Sequence, residues 1–214
     1  MEDSRWLQAL DTSTAQRILK EVTKIEFERS QNIYAIGDQN RELYGLIKGV
    51  VGVQIDHSEA GLALGHIFGP GDWFGEAAVI TGTARLIGTI ALTDCELFRI
   101  TETGLHSILR ELPDFWRALG VLSALNGALA IQVSRDLLIA NTRERCLTIL
   151  KRLANSSGRP RAIPLTQEQL AEACRVSRSG FAKLLSELEE EGYVRRKYGH
   201  VALVQNNKDD QAKH

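Results

Sequence analysis

Residues 165–204 read LTQEQLAEACRVSRSGFAKLLSELEEEGYVRRKYGHVALV and divide into four pieces. Thr166 followed by Gln169 is a capping-box pattern, in which each side chain satisfies a backbone N–H at the start of a helix. Leu170, Ala171 and Ala173 give that short helix an inner face. Arg175-Val176 fills a tight turn. Ser177 then caps a second helix, whose Phe181, Leu184, Leu185 and Leu188 recur on one side at helical spacing. Gly192 stops it. YVRRKY, Gly199 and HVALV read as a two-stranded hairpin. A short helix, a tight turn, an amphipathic helix and a basic hairpin together predict a winged helix-turn-helix.

The outer face of the second helix carries Arg178, Ser179, Ala182 and Lys183. A helix entering the major groove presents its N-terminal residues to base edges. Arg178 offers a two-donor fork to guanine, worth about 1–3 kcal/mol of discrimination. Ser179 suits either base type, and Lys183 reaches a base or a phosphate. The first amides of the preceding helix, near Thr166 and Gln167, are placed to hold a phosphate. Arg195, Arg196 and Lys197 on the hairpin fall where backbone contacts belong. Double-stranded DNA is the partner this pattern predicts.

Charge follows the same division. Residues 143–204 carry 12 Lys+Arg against 7 Asp+Glu, whereas residues 1–142 carry 12 against 18. A basic back and an acidic front point to two domains, with a polyanion on the back. Upstream, NTRERCLTILKRLA (141–154) is an amphipathic helix, and SSGRPRAIP is a loop rich in helix breakers.

Residues 114–140 run without proline, enough for about seven helical turns. Leu122, Leu125, Leu129, Val133 and Leu137 form a bulky stripe. Gly120, Ser123, Gly127, Ala130 and Ser134 form a small-residue stripe that permits close helix approach. A heptad stripe needs a partner helix, so a homodimer is expected; packing of both stripes inside one domain is the alternative. TETGLHSILREL (101–112) is a shorter helix with a Thr cap. Residues 4–22 form two short amphipathic helices separated by Asp11-Thr12-Ser13-Thr14.

Between these helices the chain is β-rich. Eleven of the 18 glycines lie from Gly37 to Gly88, between the short pieces IEFER, NIYAI, ELYGLIKGVVGVQID, LALGHIF, LIGTIALTD and CELFRI. Short strands with glycine turns predict a small β-barrel or β-roll. The expected class is α+β: a β-roll sensor over 1–112, a dimerisation helix over 113–140, a winged helix-turn-helix over 141–206 and a tail over 207–214.

Other classes find little support. No apolar run approaches the roughly 20 residues of a membrane span, and MEDSRWLQAL lacks a signal pattern, so no membrane partner and a cytoplasmic location are expected. Cys95, Cys146 and Cys174 are scattered, without the spacing of a metal or iron–sulfur site. No HxH pair exists for a metal-dependent barrel enzyme, so neither a catalytic residue nor a metal is assigned.

With both halves in view, the chain resembles the catabolite-activator/FNR (Crp/Fnr) family of bacterial transcription regulators. The resemblance covers about residues 5–204 and rests on PGDWFGE (70–76), TDCELFRI (93–100) and residues 165–194. It implies a β-roll sensor, a long dimerisation helix and a winged helix-turn-helix. It also implies a homodimer that binds a palindromic operator and contacts RNA polymerase. Arg178, Ser179 and Lys183 fall on the base-reading positions. Ser179 stands where Glu is frequent, which changes the expected operator. Some relatives touch the polymerase at the place of Ser156–Arg161, where a basic solvent loop is an equal reading.

The resemblance also implies a phosphate-binding cassette. Gly75 and Glu76 match the pair that holds a ribose hydroxyl, with Ala77 beside them, and Arg85 matches the phosphate ligand. Leu86 stands where a hydroxyl residue is usual, and the purine-clamping positions are Ala130 and Ile131, also without hydroxyls. Each missing hydrogen bond lowers affinity by about 0.5–1.5 kcal/mol. Two readings stay open: a cyclic-nucleotide sensor, with cAMP ahead of cGMP, or a sensor with another effector or none, in which Glu76 and Arg85 pair with each other. Haem is not expected; its candidate ligands, His57 and His66, read as lone surface histidines.

Overall fold

Ser4 and Asp11 each accept a backbone N–H through their side chains, from Leu7 and Thr14, and so start the two short helices α1 (Arg5–Gln8) and α2 (Thr12–Lys20). The polar break between them is therefore a cap. The protein, here a computed structural model, is described over residues 4–57, 61–157, 162–197 and 200–204. The chain forms two units, Met1–Ser134 and Arg135–His214.

The first unit continues with β1 (Thr23–Phe27), β2 (Asn32–Tyr34), β3 (Leu43–Lys48), β4 (Val51–His57), β5 (Gly61–Phe68), β6 (Trp73–Phe74), the short helix α3 (Glu76–Thr81), β7 (Gly88–Ala91) and β8 (Cys95–Ile100). Two four-stranded antiparallel sheets result, ordered β1-β8-β3-β6 and β2-β7-β4-β5. Their facing sides share a core of Tyr34, Tyr44, Leu46, Val51, Phe68, Phe74 and Leu97. Phe68 and Phe74 lie nearly parallel with centroids 4.9 Å apart, bridging the sheets as offset aromatic pairs do. This is the expected β-roll.

Helix α4 (Glu102–Glu111) starts at Thr101, whose hydroxyl accepts from the Gly104 N–H at 3.2 Å. It is followed by α5 (Phe115–Leu137). Trp6, Ile18, Trp73, Ile108, Phe115, Leu119 and Leu122 form a second core. Burying a side chain such as Leu119 is worth about 1.5–3 kcal/mol. Trp6 donates its indole N–H to the Ala118 carbonyl at 2.7 Å and packs on Trp73, fastening the N-terminal helix to α5.

The bulky stripe of α5 is divided. Leu122 and Leu125 pack into this second core and Leu129 packs on the roll core. Those leucines are used inside their own unit. The small-residue stripe faces outward instead: Gly120, Gly127, Ala130 and Ser134 are exposed. His66 corrects the surface reading given to it. It is buried, edge-on to Phe68 at 6.0 Å. The side chain of His57 lies outside what is described.

The second unit contains α6 (Thr142–Ser156), β9 (Ala162–Ile163), α7 (Gln167–Ala173), α8 (Arg178–Glu190), β10 (Val194–Lys197) and β11 (His200–Leu203). Asn141 caps α6 through the Glu144 N–H. The three strands pair antiparallel in the order β10-β11-β9. Ile149, Leu150, Leu153, Leu170, Phe181, Leu185 and Leu188 are fully buried, so the three helices close over one core. Ala162 and Ile163, read as loop from their proline-rich surroundings, add a strand to the hairpin. Residues 158–161 and the tail 207–214 lie outside the described residues, as does most of the basic loop considered for polymerase contact.

Candidate functional site

The recognition half is built by local signals. Thr166 and Gln169 form the reciprocal capping box at the start of α7: the Gln169 N–H donates to the Thr166 hydroxyl at 3.2 Å, and the Thr166 N–H to Gln169 Oε1 at 2.9 Å. The turn closes at Arg175, whose φ of 55° is left-handed. Ser177 caps α8 by accepting the Gly180 N–H at 3.1 Å. Phe181, Leu185 and Leu188 face the core and Leu184 is half-buried, while Arg178, Ser179 and Lys183 are exposed. The three base-reading candidates therefore share the solvent face and are clear of packing duties.

The hairpin separates its three cations. Arg195 and Lys197 are exposed. Arg196 is engaged by Glu189 of α8: its guanidinium Nε lies 2.6 Å from Oε2 and its backbone N–H donates to Oε1 at 2.7 Å. Those two donors hold the Glu189 carboxyl below the usual carboxylate range. Arg196 thus pins the wing to the recognition helix. Between the start of α7 and the hairpin is a cleft of about 240 Å³ lined by Thr166, Gln167, Arg196, Lys197 and His200. Donors from both elements converge there, as a phosphate requires.

The cassette is built differently. Gly75 ends β6 and caps α3 with φ 99°, and a Cβ there would meet the Glu42 carbonyl oxygen at 2.7 Å and Arg85 Nη1 at 3.0 Å. Only glycine fits. Arg85 is buried, with 3% of its surface exposed. Its Nη1 donates to the Gly75 carbonyl at 2.7 Å, its Nη2 to the Glu42 carbonyl at 2.7 Å and its Nε to Asn40 Oδ1 at 3.0 Å. The guanidinium also lies 4.2 Å from the centroid of the Tyr34 ring.

Glu76 is buried beside it, and burial pushes its carboxyl up, opposed by a hydrogen bond from Asn126 and, less, by the charge of Arg85. Among the described residues no ion pair joins Glu76 to Arg85, so the expected mutual pairing is corrected: the cation is satisfied by carbonyls and an amide. Tyr34 is pushed up to about 12 by burial, with Arg85 opposing.

Gly75, Glu76 and Arg85 thus come together. Ala77 and Leu86 point to solvent, Leu86 with 76% of its surface exposed. Ala130 and Ile131 are exposed on α5, Ile131 at 64%. Sequence reasoning missed Asn126, which donates to the Trp73 carbonyl at 3.1 Å as well as to Glu76. It missed Tyr34, Asn40 and Glu42 also. An amide among the apolar and small residues in the middle of α5 was the one signal for Asn126. The others lie too far away in sequence for any spacing rule.

Among the described residues no cluster of metal-ligating side chains occurs, and no helix is long and apolar enough to cross a membrane.

Comparison with known proteins supplies the wider context. Residues 24–111 match the cyclic nucleotide-binding domain family and residues 144–208 the Crp-like helix-turn-helix domain family. The CRP-like cAMP-activated global transcriptional regulator of Mycobacterium tuberculosis is 23% identical over 195 residues, 88% of this chain and 87% of that one. The transcriptional regulator LdrP of Thermus thermophilus is 28% identical over 187 residues, covering 83% and 90%. In fold, the chain is similar to FixK2 from Bradyrhizobium japonicum, with a TM-score of 0.74 at 17% identity over 89% of this chain and 96% of that one. It is also similar to the c-di-GMP responsive global regulator CLP of Xanthomonas campestris, with a TM-score of 0.72 at 21% identity, covering 92% and 100%. The two family matches take in residues 24–111 and 144–208, and the curated relatives align with most of the chain: the chain belongs to the Crp/Fnr family of DNA-binding transcription regulators.

Proposed function

We propose that the protein is a homodimeric regulator without catalytic activity that binds a palindromic operator in the cytoplasm, contacts RNA polymerase, and does so without requiring a cyclic nucleotide. The single observation that carries the last point is the state of Arg85. Its three nitrogens are donated to Gly75, Glu42 and Asn40, its face lies on Tyr34, and it is closed off from solvent. A phosphate must displace these partners before it gains a charge-assisted bond, and the next residue, Leu86, offers it no hydroxyl.

Operator reading rests on Arg178, Ser179 and Lys183. Thr166, Gln167, Ser177, Arg195 and Lys197 hold phosphates, and Arg196 orients the wing. The dimer rests on the exposed small-residue face of α5.

A second reading is favoured by the intact Gly75-Glu76 turn and by the match to a cyclic nucleotide-binding domain: a sensor for cAMP, ahead of cGMP, in which the ligand takes Arg85 over from Glu42 and Asn40. Haem is not part of either reading.

Calorimetry with cAMP and cGMP, paired with DNA binding to a duplex selected from random sequence, separates the two. Tight binding of the duplex, unchanged by either nucleotide, supports the first. Tightening of about tenfold by cAMP, some 1.4 kcal/mol of coupling, establishes the second. Failure of the selection to enrich any sequence defeats both.

A further inference from the structure

Two thiols meet inside the DNA-binding unit. Cys146 lies in the second turn of α6 and Cys174 is the C-terminal cap of α7; both are fully buried. The two thiols are close enough to perturb each other's ionisation. Arg145 fastens the same junction, its Nε donating to the Cys174 carbonyl at 3.2 Å and its Nη1 to the Ile139 carbonyl at 2.8 Å. Cys174 precedes the left-handed Arg175 and the α8 cap Ser177. The pair therefore spans the helix that carries the domain and the turn that aims the recognition helix. DNA reading uses neither sulfur.

We propose that Cys146 and Cys174 are a redox pair, closed to a disulfide by a hydroperoxide, and that closure lowers operator affinity. The chemistry suits the site. The Cys146 thiol is held below its ordinary range by the S–H of Cys174 and by Arg145, while Cys174 is pushed up by the same contact and by burial. The first proton thus leaves Cys146, and the thiolate is the nucleophile. It attacks the terminal oxygen of the hydroperoxide. An S–O bond forms, the O–O bond breaks, and the departing alkoxide leaves as an alcohol after taking a proton. Cys174, giving up its own proton, then attacks the oxidised sulfur. The S–S bond forms, the S–O bond breaks, and hydroxide leaves with that proton as water. Two thiols and one hydroperoxide give one disulfide, one water and one alcohol, or a second water where the oxidant is hydrogen peroxide.

Burial sets the rate, since the oxidant enters only when α6 and α7 open locally. Geometry sets the consequence. Closure brings the sulfurs to about 2.05 Å, nearer than two thiols in contact, so the turn at Cys174 is drawn toward α6 and α8 shifts with it. This inference is independent of what, if anything, occupies the β-roll.

The test uses the full chain and a duplex selected with the reduced protein. After hydrogen peroxide, a non-reducing tryptic digest should contain the peptide Cys146–Lys151 joined to Ala162–Arg175. Affinity for the duplex should fall about tenfold or more, the scale of losing one base-edge contact, and recover with dithiothreitol. Cys146→Ser and Cys174→Ser should each abolish the fall; Cys95→Ser, in the other unit, should preserve it. Circular dichroism of the serine variants checks that they fold, and the digest needs no variant at all. Absence of the joined peptide overturns the proposal. So does a disulfide with unchanged affinity, or a fall in affinity that survives Cys146→Ser.

Discussion

Arg152 Nε lies 2.5 Å from Asp136 Oδ2, and the two side chains are 6% and 9% exposed. An ion pair out of water thus joins the last turn of α5 to α6 within the DNA-binding unit. Burying such a pair is expensive, and removing one partner leaves the other charge unmatched. Asp136→Ala should therefore destabilise this unit by about 3–5 kcal/mol, whereas replacing the pair together by Leu and Met should restore most of that. Urea unfolding of the three proteins checks it. A single substitution within about 1 kcal/mol of wild type would show the pair to be dispensable.

Arg85 raises the same question in the sensor, and the answer separates two roles. As a clasp on Gly75, Glu42 and Asn40 it is structural. Arg85→Ala should leave two carbonyls without a donor and lower stability by about 2–4 kcal/mol. At about 2–4 °C per kcal/mol for a chain of this length, thermal melting resolves that loss. A residue kept only for a phosphate would behave in the opposite way: Arg85→Ala would leave the melt unchanged and remove nucleotide binding.

Glu76 gives a pH test with a definite sign. Burial raises its carboxyl above the ordinary carboxylate range in the folded state. Between the unfolded and the folded value the native chain holds more protons than the unfolded one, so stability from this group falls as pH rises through that interval. At neutral pH the buried charge is a standing penalty, and below the unfolded value it is gone. Glu76→Gln keeps an acceptor for Asn126 and removes the charge. The variant should melt above wild type at pH 7, with the gap closing toward pH 4. Taking the difference between the two proteins cancels Asp72, which is also raised by burial. A gap that widens on acidification contradicts the assignment.

The two halves of the chain were unequally legible from sequence, for a physical reason. The helix-turn-helix is specified by local rules: Thr166 with Gln169, Ser177 with Gly180, and Gly192 at φ 79° each act within a few residues. The cassette residues Gly75, Glu76 and Arg85 were also visible, but their arrangement was not. Arg85 is held by residues 40, 42 and 75, and Glu76 by Asn126 across the fold. The helix α3 hides inside the glycine-rich stretch because six residues between Gly75 and Gly82 are too few to show a period. On the wing, composition placed three cations but could not tell that Glu189 had claimed the middle one.

That difference among the wing cations is measurable. Lys197 is exposed beside the cleft at the start of α7. Lys197→Ala should weaken binding to all duplexes alike and lower the slope of log affinity against log salt by about one. Arg196→Ala should do something else. It frees Glu189 and loosens the hairpin, which amide exchange at Val194–Lys197 and His200–Leu203 detects, while the salt slope changes less. Equal salt slopes for the two variants would make Arg196 an ordinary phosphate ligand.

Gly127 offers the sharpest test of the dimer. It sits on the outward face of α5, and a Cβ built there meets nothing within 4 Å; the same holds for Gly120, two turns earlier. Within one chain, therefore, glycine is not required at either place. Glycine inside a helix costs about 0.5–1 kcal/mol relative to alanine, so an isolated protomer would gain from replacing it. What glycine permits is close approach by a second helix along Gly120, Gly127, Ala130 and Ser134. Gly127→Leu should accordingly leave the protomer folded while driving the protein to monomer in sedimentation. Binding to a two-half-site duplex should weaken sharply, and binding to a single half-site should not. Gly127→Ala, smaller, should fall between the two. A Gly127→Leu protein that remains a dimer of unchanged affinity would mean that the partner helix meets α5 elsewhere, along the side that carries Ile131, which is 64% exposed.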